Sequence, residues 1–189
     1  YKRFCPGPIT FVLKKKIRSK IHSLACSNLK TIAVRFPANK IIRSILKNLN
    51  YPLAAPSANI STKISPVSRK DVEDEFGKKL GLILDGGRSK VGVESTVIEL
   101  LNKPQILRLG GISKSQIENF LNLNLIYNKN SKIKSPGQSR IHYSPHIKLR
   151  LNINNSTKNE AFILIKKRKQ KNKDFFYLSK KNNLKEAAK

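Results

Sequence analysis

Gly92-Val93-Glu94-Ser95-Thr96 runs without a break into Val97-Ile98-Glu99-Leu100-Leu101, and this junction decides how the rest of the 189-residue chain is read. A glycine and two hydroxyl residues at the mouth of a strand let a ligand approach the backbone and hold it by hydrogen bonds. Thr96 to Leu101 and Gln105 to Leu109 flank Asn102-Lys103-Pro104, which predicts a hairpin. Upstream, Ala55-Pro56-Ser57-Ala58-Asn59 is a second motif of small and polar residues, reached through an extended segment that starts at Pro52. Before both lies Thr31-Ile32-Ala33-Val34-Arg35-Phe36-Pro37. Its alternation puts Thr31, Ala33 and Arg35 on one face of a strand and Ile32, Val34 and Phe36 on the other. Together the three stretches describe a polar-lined small-molecule site.

The remaining signals fill in an α/β or α+β domain. Pro6-Gly7-Pro8 turns the chain into a short apolar strand, Ile9 to Leu13. Asn39 caps a helix to about Asn48, with Ile42, Ile45, Leu46 and Leu49 on one face. Ser68 with Asp71 is a capping box for a helix to Phe76, which Gly77 ends. Leu80 to Leu84 reads as a buried strand ended by Asp85-Gly86-Gly87. Ser113 with Gln116 opens another helix, to about Leu123. From Tyr127 to Ile147 the chain is rich in Lys, Asn, Ser and Pro and reads as a linker. Ala161 to Ile165 and Phe175 to Leu178 then predict strands around a basic turn, followed by the start of a helix. That is the beginning of a second unit, too short to bury a core of its own.

Charge and cysteine usage bound the partners. Lys and Arg number 39 against 11 Asp and Glu, a formal net charge of +28. Such a balance favours polyanions such as RNA, and an AT-rich coding sequence producing Lys, Asn and Ile together would give the same excess. Cys5 and Cys26 have no zinc-ligand or redox spacing, and the three histidines are scattered. With no signal peptide and no apolar run near ~20 residues, the chain reads as soluble and cytoplasmic, without membrane contact. It has no Met, opens on Tyr1 within a structured-looking motif and closes on a helix just begun, so it reads as a fragment of a longer protein.

Arg35 inside an apolar strand needs an acceptor. It is either a planar fork for a carboxylate or phosphate, or half of an internal ion pair, for example with Glu94. Ser57 and Asn59, two apart, can face one ligand, or they can serve the turn after Pro56. No Gly-x-Ser-x-Gly elbow surrounds Ser57, so it is not read as a nucleophile. Ser95 and Thr96 either hold a ligand or make ordinary bonds to backbone. Gly110-Gly111 either offers N–H groups to an anion or makes a turn. No Walker A loop is present.

As an ordered set these segments resemble the YrdC-like family in its long form, the threonylcarbamoyl-AMP synthases. The pieces that carry the resemblance are Lys2-Arg3-Phe4-Cys5-Pro6-Gly7-Pro8-Ile9-Thr10, Thr31 to Pro37, Pro52 to Asn59, Leu84 to Gly87, Val91 to Val97, Ile106 to Gly111, and Ser135-Pro136-Gly137 through His142-Tyr143-Ser144-Pro145. The resemblance implies an α/β fold, a twisted mixed sheet with helices, over residues 1–126 and lacking its N-terminal part. It implies a linker over 127–147 that crosses the active site, and the start of a Rossmann-like domain over 148–189. It implies synthesis of threonylcarbamoyl-AMP from L-threonine, bicarbonate and ATP with release of pyrophosphate, a nucleotidyl transfer. A separate threonylcarbamoyl transferase machinery would then modify tRNA beside the anticodon. By motif, Thr31, Ser57, Asn59, Ser65, Arg108 and Tyr143 fall on the ATP side, and Arg35, Ala55 and Ser95 on the L-threonine side. ATP implies Mg2+, for which no protein ligand is identified, and no covalent catalytic residue is assigned. The family's basic N-terminal motif is absent, so the chain alone is expected to be inactive. Two other readings share the fold: a non-catalytic module binding double-stranded RNA or tRNA, and a carbamoyl-transfer domain that matures hydrogenases. The linker motif argues against the latter.

Overall fold

The computed structural model describes residues 1–127, 147–165 and 174–187. These fall into two compact units, 1–89 with 93–127 and 90–92 with 147–187. In the first, five strands form a mixed sheet in the order β2-β1-β3-β4-β5. They are β1 (Ile9–Lys14), β2 (Thr31–Arg35), β3 (Thr96–Glu99), β4 (Gln105–Arg108) and β5 (Ile126–Tyr127). β1 pairs antiparallel with β2 and parallel with β3; β3 pairs antiparallel with β4, and β4 parallel with β5.

β3 is the centre, and all four of its residues are buried. Alternation sends Ile98 to one face, where it joins Ile9, Ile106, Ile112, Ile117 and Leu125 in the main core. That face is covered by α3 (Lys114–Leu121), and Phe4 meets Phe120 edge-on at 5.4 Å. Val97 goes to the opposite face with Val12 and Leu107. Buried Glu99 lies opposite Gln105 in the ladder, and Gln105 Nε2 donates to its carboxylate.

The helices follow their caps. Asn39 Oδ1 accepts the N–H groups of Ile41 and Ile42 and starts α1 (Lys40–Lys47). Reciprocal boxes start α2 (Arg69–Phe76) at Ser68–Asp71 and α3 at Ser113–Gln116. Gly77, with φ +55°, ends α2. The predicted apolar face of α1 is the half-buried one: Ile42, Ile45, Leu46 and Leu49.

One expectation is corrected. Leu80 to Leu84 is not a strand, and Leu80, Leu82 and Leu84 are exposed. The sheet is built in the order β2-β1-β3-β4-β5 without it, and the stretch pairs with neither outer edge, β2 nor β5. Tyr127, where the linker is expected to begin, pairs with Ile106 as the last residue of β5. Of that linker, residues 128–146 lie outside the described residues.

In the second unit β6 (Phe162–Leu164) and β7 (Phe175–Tyr177) pair in parallel, and Phe162 stands edge-on to Phe175 at 5.5 Å. Buried Ser179 accepts the N–H of Asn183 (2.7 Å) and donates to Glu186 (2.6 Å), which anchors α4 (Leu184–Ala187). Among the described residues no helix is long and apolar enough to cross a membrane.

Candidate functional site

The junction ahead of β3 is clamped by its own backbone. Thr96 N–H donates to Pro8 O (3.0 Å), and Gly111 N–H donates to Glu94 O (2.8 Å). The Thr96 hydroxyl donates to Ile112 O (2.6 Å) and accepts the Ile112 N–H (3.0 Å), with no solvent exposure. Gly110 packs so closely that a Cβ there would overlap Glu94 O, Ser95 C and Thr96 N. The Gly110-Gly111 pair therefore serves as a turn locked against the junction.

On this platform sits a polar network. Ser95 is 4% exposed, and its Oγ lies 2.8 Å from Thr10 Oγ1. Arg108 donates through Nη2 to Ser95 Oγ (3.0 Å) and to Ser95 O (2.8 Å), and through Nε to the same carbonyl (3.1 Å). Its Nη2 also stands 3.7 Å from Glu94 Oε2, and Glu94 Oε1 accepts the Ser65 hydroxyl at 2.6 Å. Three residues assigned by motif, Ser65, Ser95 and Arg108, thus meet, joined by Thr10 and Glu94, to which the sequence reading assigned no site role. The Ser95 hydroxyl is engaged by Thr10 and Arg108.

The face that Arg108 shares is set by a bulge. Strict alternation from the Ile98–Ile106 pair would send Leu107 to the Val97 face and Arg108 to the opposite one. The register shifts between Val97 and Ile98, so Arg108 stands opposite Val97 while Leu107 also packs on Val97. An extra residue in one strand does this, turning two successive side chains to one side.

The other assigned residues are placed as follows. Arg35 lies directly opposite Thr10 in the β1–β2 ladder, hence on the network's face. It is exposed and has no ion pair or hydrogen bond among the described residues. The internal pair with Glu94 is overturned, since Glu94 engages Ser65 and Arg108. Thr31 shares Arg35's face but lies at the far end of β2, opposite Lys14. Ala55 and Ser57 are exposed and make no hydrogen bond among the described residues. Asn59 follows its turn reading, with Nδ2 donating to Ile60 O (2.9 Å) and Lys63 O (3.1 Å), while its Oδ1 is buried without a partner among the described residues. Tyr143 lies outside the described residues.

Two concavities lie elsewhere, one of about 290 Å³ between Phe36 and α1 and one of about 530 Å³ at the start of α3. Neither is lined by Arg35, Ser57, Ser95 or Arg108. Asp71 is held below the usual carboxylate range, first by the Val67 N–H and then by Ser68. Among the described residues no group of three or more His, Cys, Asp or Glu could hold a metal ion.

This fold falls within a known class. The family described as Telomere recombination, the Sua5/YciO/YrdC family, matches residues 1–110, and the threonylcarbamoyl-AMP synthase C-terminal domain matches 112–189. The chain belongs to the Sua5/YciO/YrdC family. It is 41% identical over 150 residues to the threonylcarbamoyl-AMP synthase of Pyrococcus abyssi, covering 76% of this chain and 44% of that one. It is 36% identical to the synthase of Schizosaccharomyces pombe, covering 88% and 44%. The crystal structure of P. abyssi Sua5 complexed with L-threonine superposes with a TM-score of 0.70 at 39% identity, covering 76% of this chain and 44% of that chain. The chain thus spans less than half the length of these relatives.

Proposed function

We propose that the chain serves the synthesis of threonylcarbamoyl-AMP from L-threonine, bicarbonate and ATP. The threonine amine adds to the bicarbonate carbon with loss of water. The carbamate oxygen then attacks the α-phosphorus and pyrophosphate leaves, a nucleotidyl transfer. Arg35 offers its fork to the threonine carboxylate, with Ala55 and Ser95 on the same side. Thr31, Ser57, Asn59, Ser65, Arg108 and Tyr143 serve ATP, whose phosphates bring Mg2+ with them. The chemistry then rests on positioning and charge stabilisation. The product passes to a threonylcarbamoyl transferase acting on tRNA in the cytoplasm. The domain boundaries expected from the sequence, with a linker over 127–147, belong to the same reading.

One observation carries the proposal: Arg35, whose guanidinium has no partner among the described residues, stands across the ladder from Thr10, whose hydroxyl meets that of buried Ser95. An exposed fork beside fixed hydroxyls fits an amino-acid carboxylate and hydroxyl. A non-catalytic RNA-binding module would need only surface charge, and this arrangement would have no use in it. The test is calorimetric titration of the chain with L-threonine and with ATP, beside an assay of threonine-dependent pyrophosphate release. Saturable L-threonine binding that D-threonine does not reproduce is expected, and its absence would sink the proposal.

A further inference from the structure

We propose that Glu94 is a positioning residue that ties the two ATP-side segments, the loop of Ser65 and the strand of Arg108, into one geometry. Its two carboxylate oxygens serve different partners, Oε1 taking the Ser65 hydroxyl at 2.6 Å and Oε2 facing Arg108 Nη2 at 3.7 Å. Its backbone is held in place, because Gly111 N–H bonds its carbonyl and Gly110 packs closely against it. The carboxylate is therefore aimed from a rigid base, which is what orienting a second residue requires.

The two partners depend on it unequally. Arg108 keeps its place through three bonds to Ser95, so Glu94 acts on the direction and charge of its outer nitrogen. Ser65 sits on a stretch whose other bonds run to α2 and to Ser89 and do not reach the mouth of β3: Asn59 to Ile60 and Lys63, Ile60 to Glu75, Val67 and Ser68 to Asp71, and Ser89 N–H to Val67 O at 2.7 Å. The Ser65–Glu94 bond joins that stretch to the mouth of β3 across 29 residues. A side chain that both tethers a loop and balances a half-buried guanidinium couples the two.

The inference rests on the proposed ATP-side roles of Ser65 and Arg108. It is tested by measuring ATP and L-threonine affinities separately for the wild-type chain and its Glu94 and Ser65 variants. Glu94→Ala is expected to weaken ATP binding about tenfold or more while leaving L-threonine within about twofold. Glu94→Gln keeps the volume and an acceptor for Ser65 but turns an amide N–H toward Arg108. It is expected to lose nearly as much, and it carries the test should the alanine variant not fold. Glu94→Asp, which keeps the charge, is expected to recover part of the loss. Ser65→Ala is expected to cost about fivefold alone and almost nothing in the Glu94→Ala background, since coupled residues are not additive. ATP affinity unchanged in Glu94→Gln, or equal losses for both ligands, would overturn the inference alone. A wild-type chain that binds L-threonine but no ATP would overturn it together with the ATP side of the proposed function.

Discussion

The two polar motifs look alike on paper and are built differently. Glu94-Ser95-Thr96 is buried or half-buried, bonded to Pro8, Gly111 and Ile112, and continuous with the central strand. Ala55-Pro56-Ser57-Ala58-Asn59 lies on a largely exposed stretch, with Tyr51, Leu53, Ile60 and Ile64 all open to solvent. Small and hydroxyl residues thus do two jobs. At the first motif they permit close backbone packing, and the hydroxyls satisfy buried groups. At the second they leave the backbone accessible and make few contacts of their own.

The sharpest way to break this contrast is Gly110→Ala. Its Cβ would overlap the backbone of Glu94, Ser95 and Thr96, which cannot rotate away. A loss of about 3 kcal/mol in urea unfolding is expected. A loss under about 1 kcal/mol would show that the clamp gives. Thr96→Val is next. It keeps the shape and strands the buried Ile112 N–H and C=O, at an expected cost of about 2 kcal/mol. Ser57→Ala, the matching change on the exposed motif, should stay within about 0.5 kcal/mol. Equal costs for the two would erase the distinction.

Arg35→Ala separates folding from binding. Stability should hold, because the guanidinium has no partner among the described residues. L-threonine binding should weaken by about 1.5 kcal/mol or more, roughly tenfold, and Arg35→Lys should not restore it. Loss of fold with intact binding would reverse the assignment.

The smallest effect is one of pH, read between the two capping boxes. The box of α2 uses Asp71, whose carboxyl is depressed by the Val67 N–H and Ser68; the box of α3 uses uncharged Gln116. A depressed acid stabilises fully above its unfolded value of about 4, and the contribution fades as pH falls through the folded value. Amide exchange in the first turn of α2 should therefore rise, relative to α3, from about pH 4 downward. Parallel behaviour of both helices would refute the assignment.

Legibility followed the range of the signals. The capping boxes, the α1 face and the Asn102–Pro104 hairpin were readable because each is closed by residues a few positions apart. Leu80 to Leu84 misled because an apolar run says what favours burial and not whether the stretch reaches a strand to pair with. Arg35 was readable as a fork in a strand, while its exposure was not, because β2 turned out to be an edge strand. Glu94 was visible as an acid that could balance an arginine, and the wrong arginine was named.

The chain's residues alone settled the local elements, the alternating faces of β1 and β2, and the ordered motifs that mark the family. Folding in three dimensions settled which of these meet. Parallel pairing of β1 with β3 brings Thr10 to Ser95 across 85 residues. The bulge opposite Val97 turns Arg108 to the face where strict alternation would not put it, and within reach of Glu94. Hydrophobic period and capping chemistry act over a turn or a hairpin. Register between distant strands is selected by the pairing and burial of the whole sheet at once, and no short stretch of sequence carries that sum.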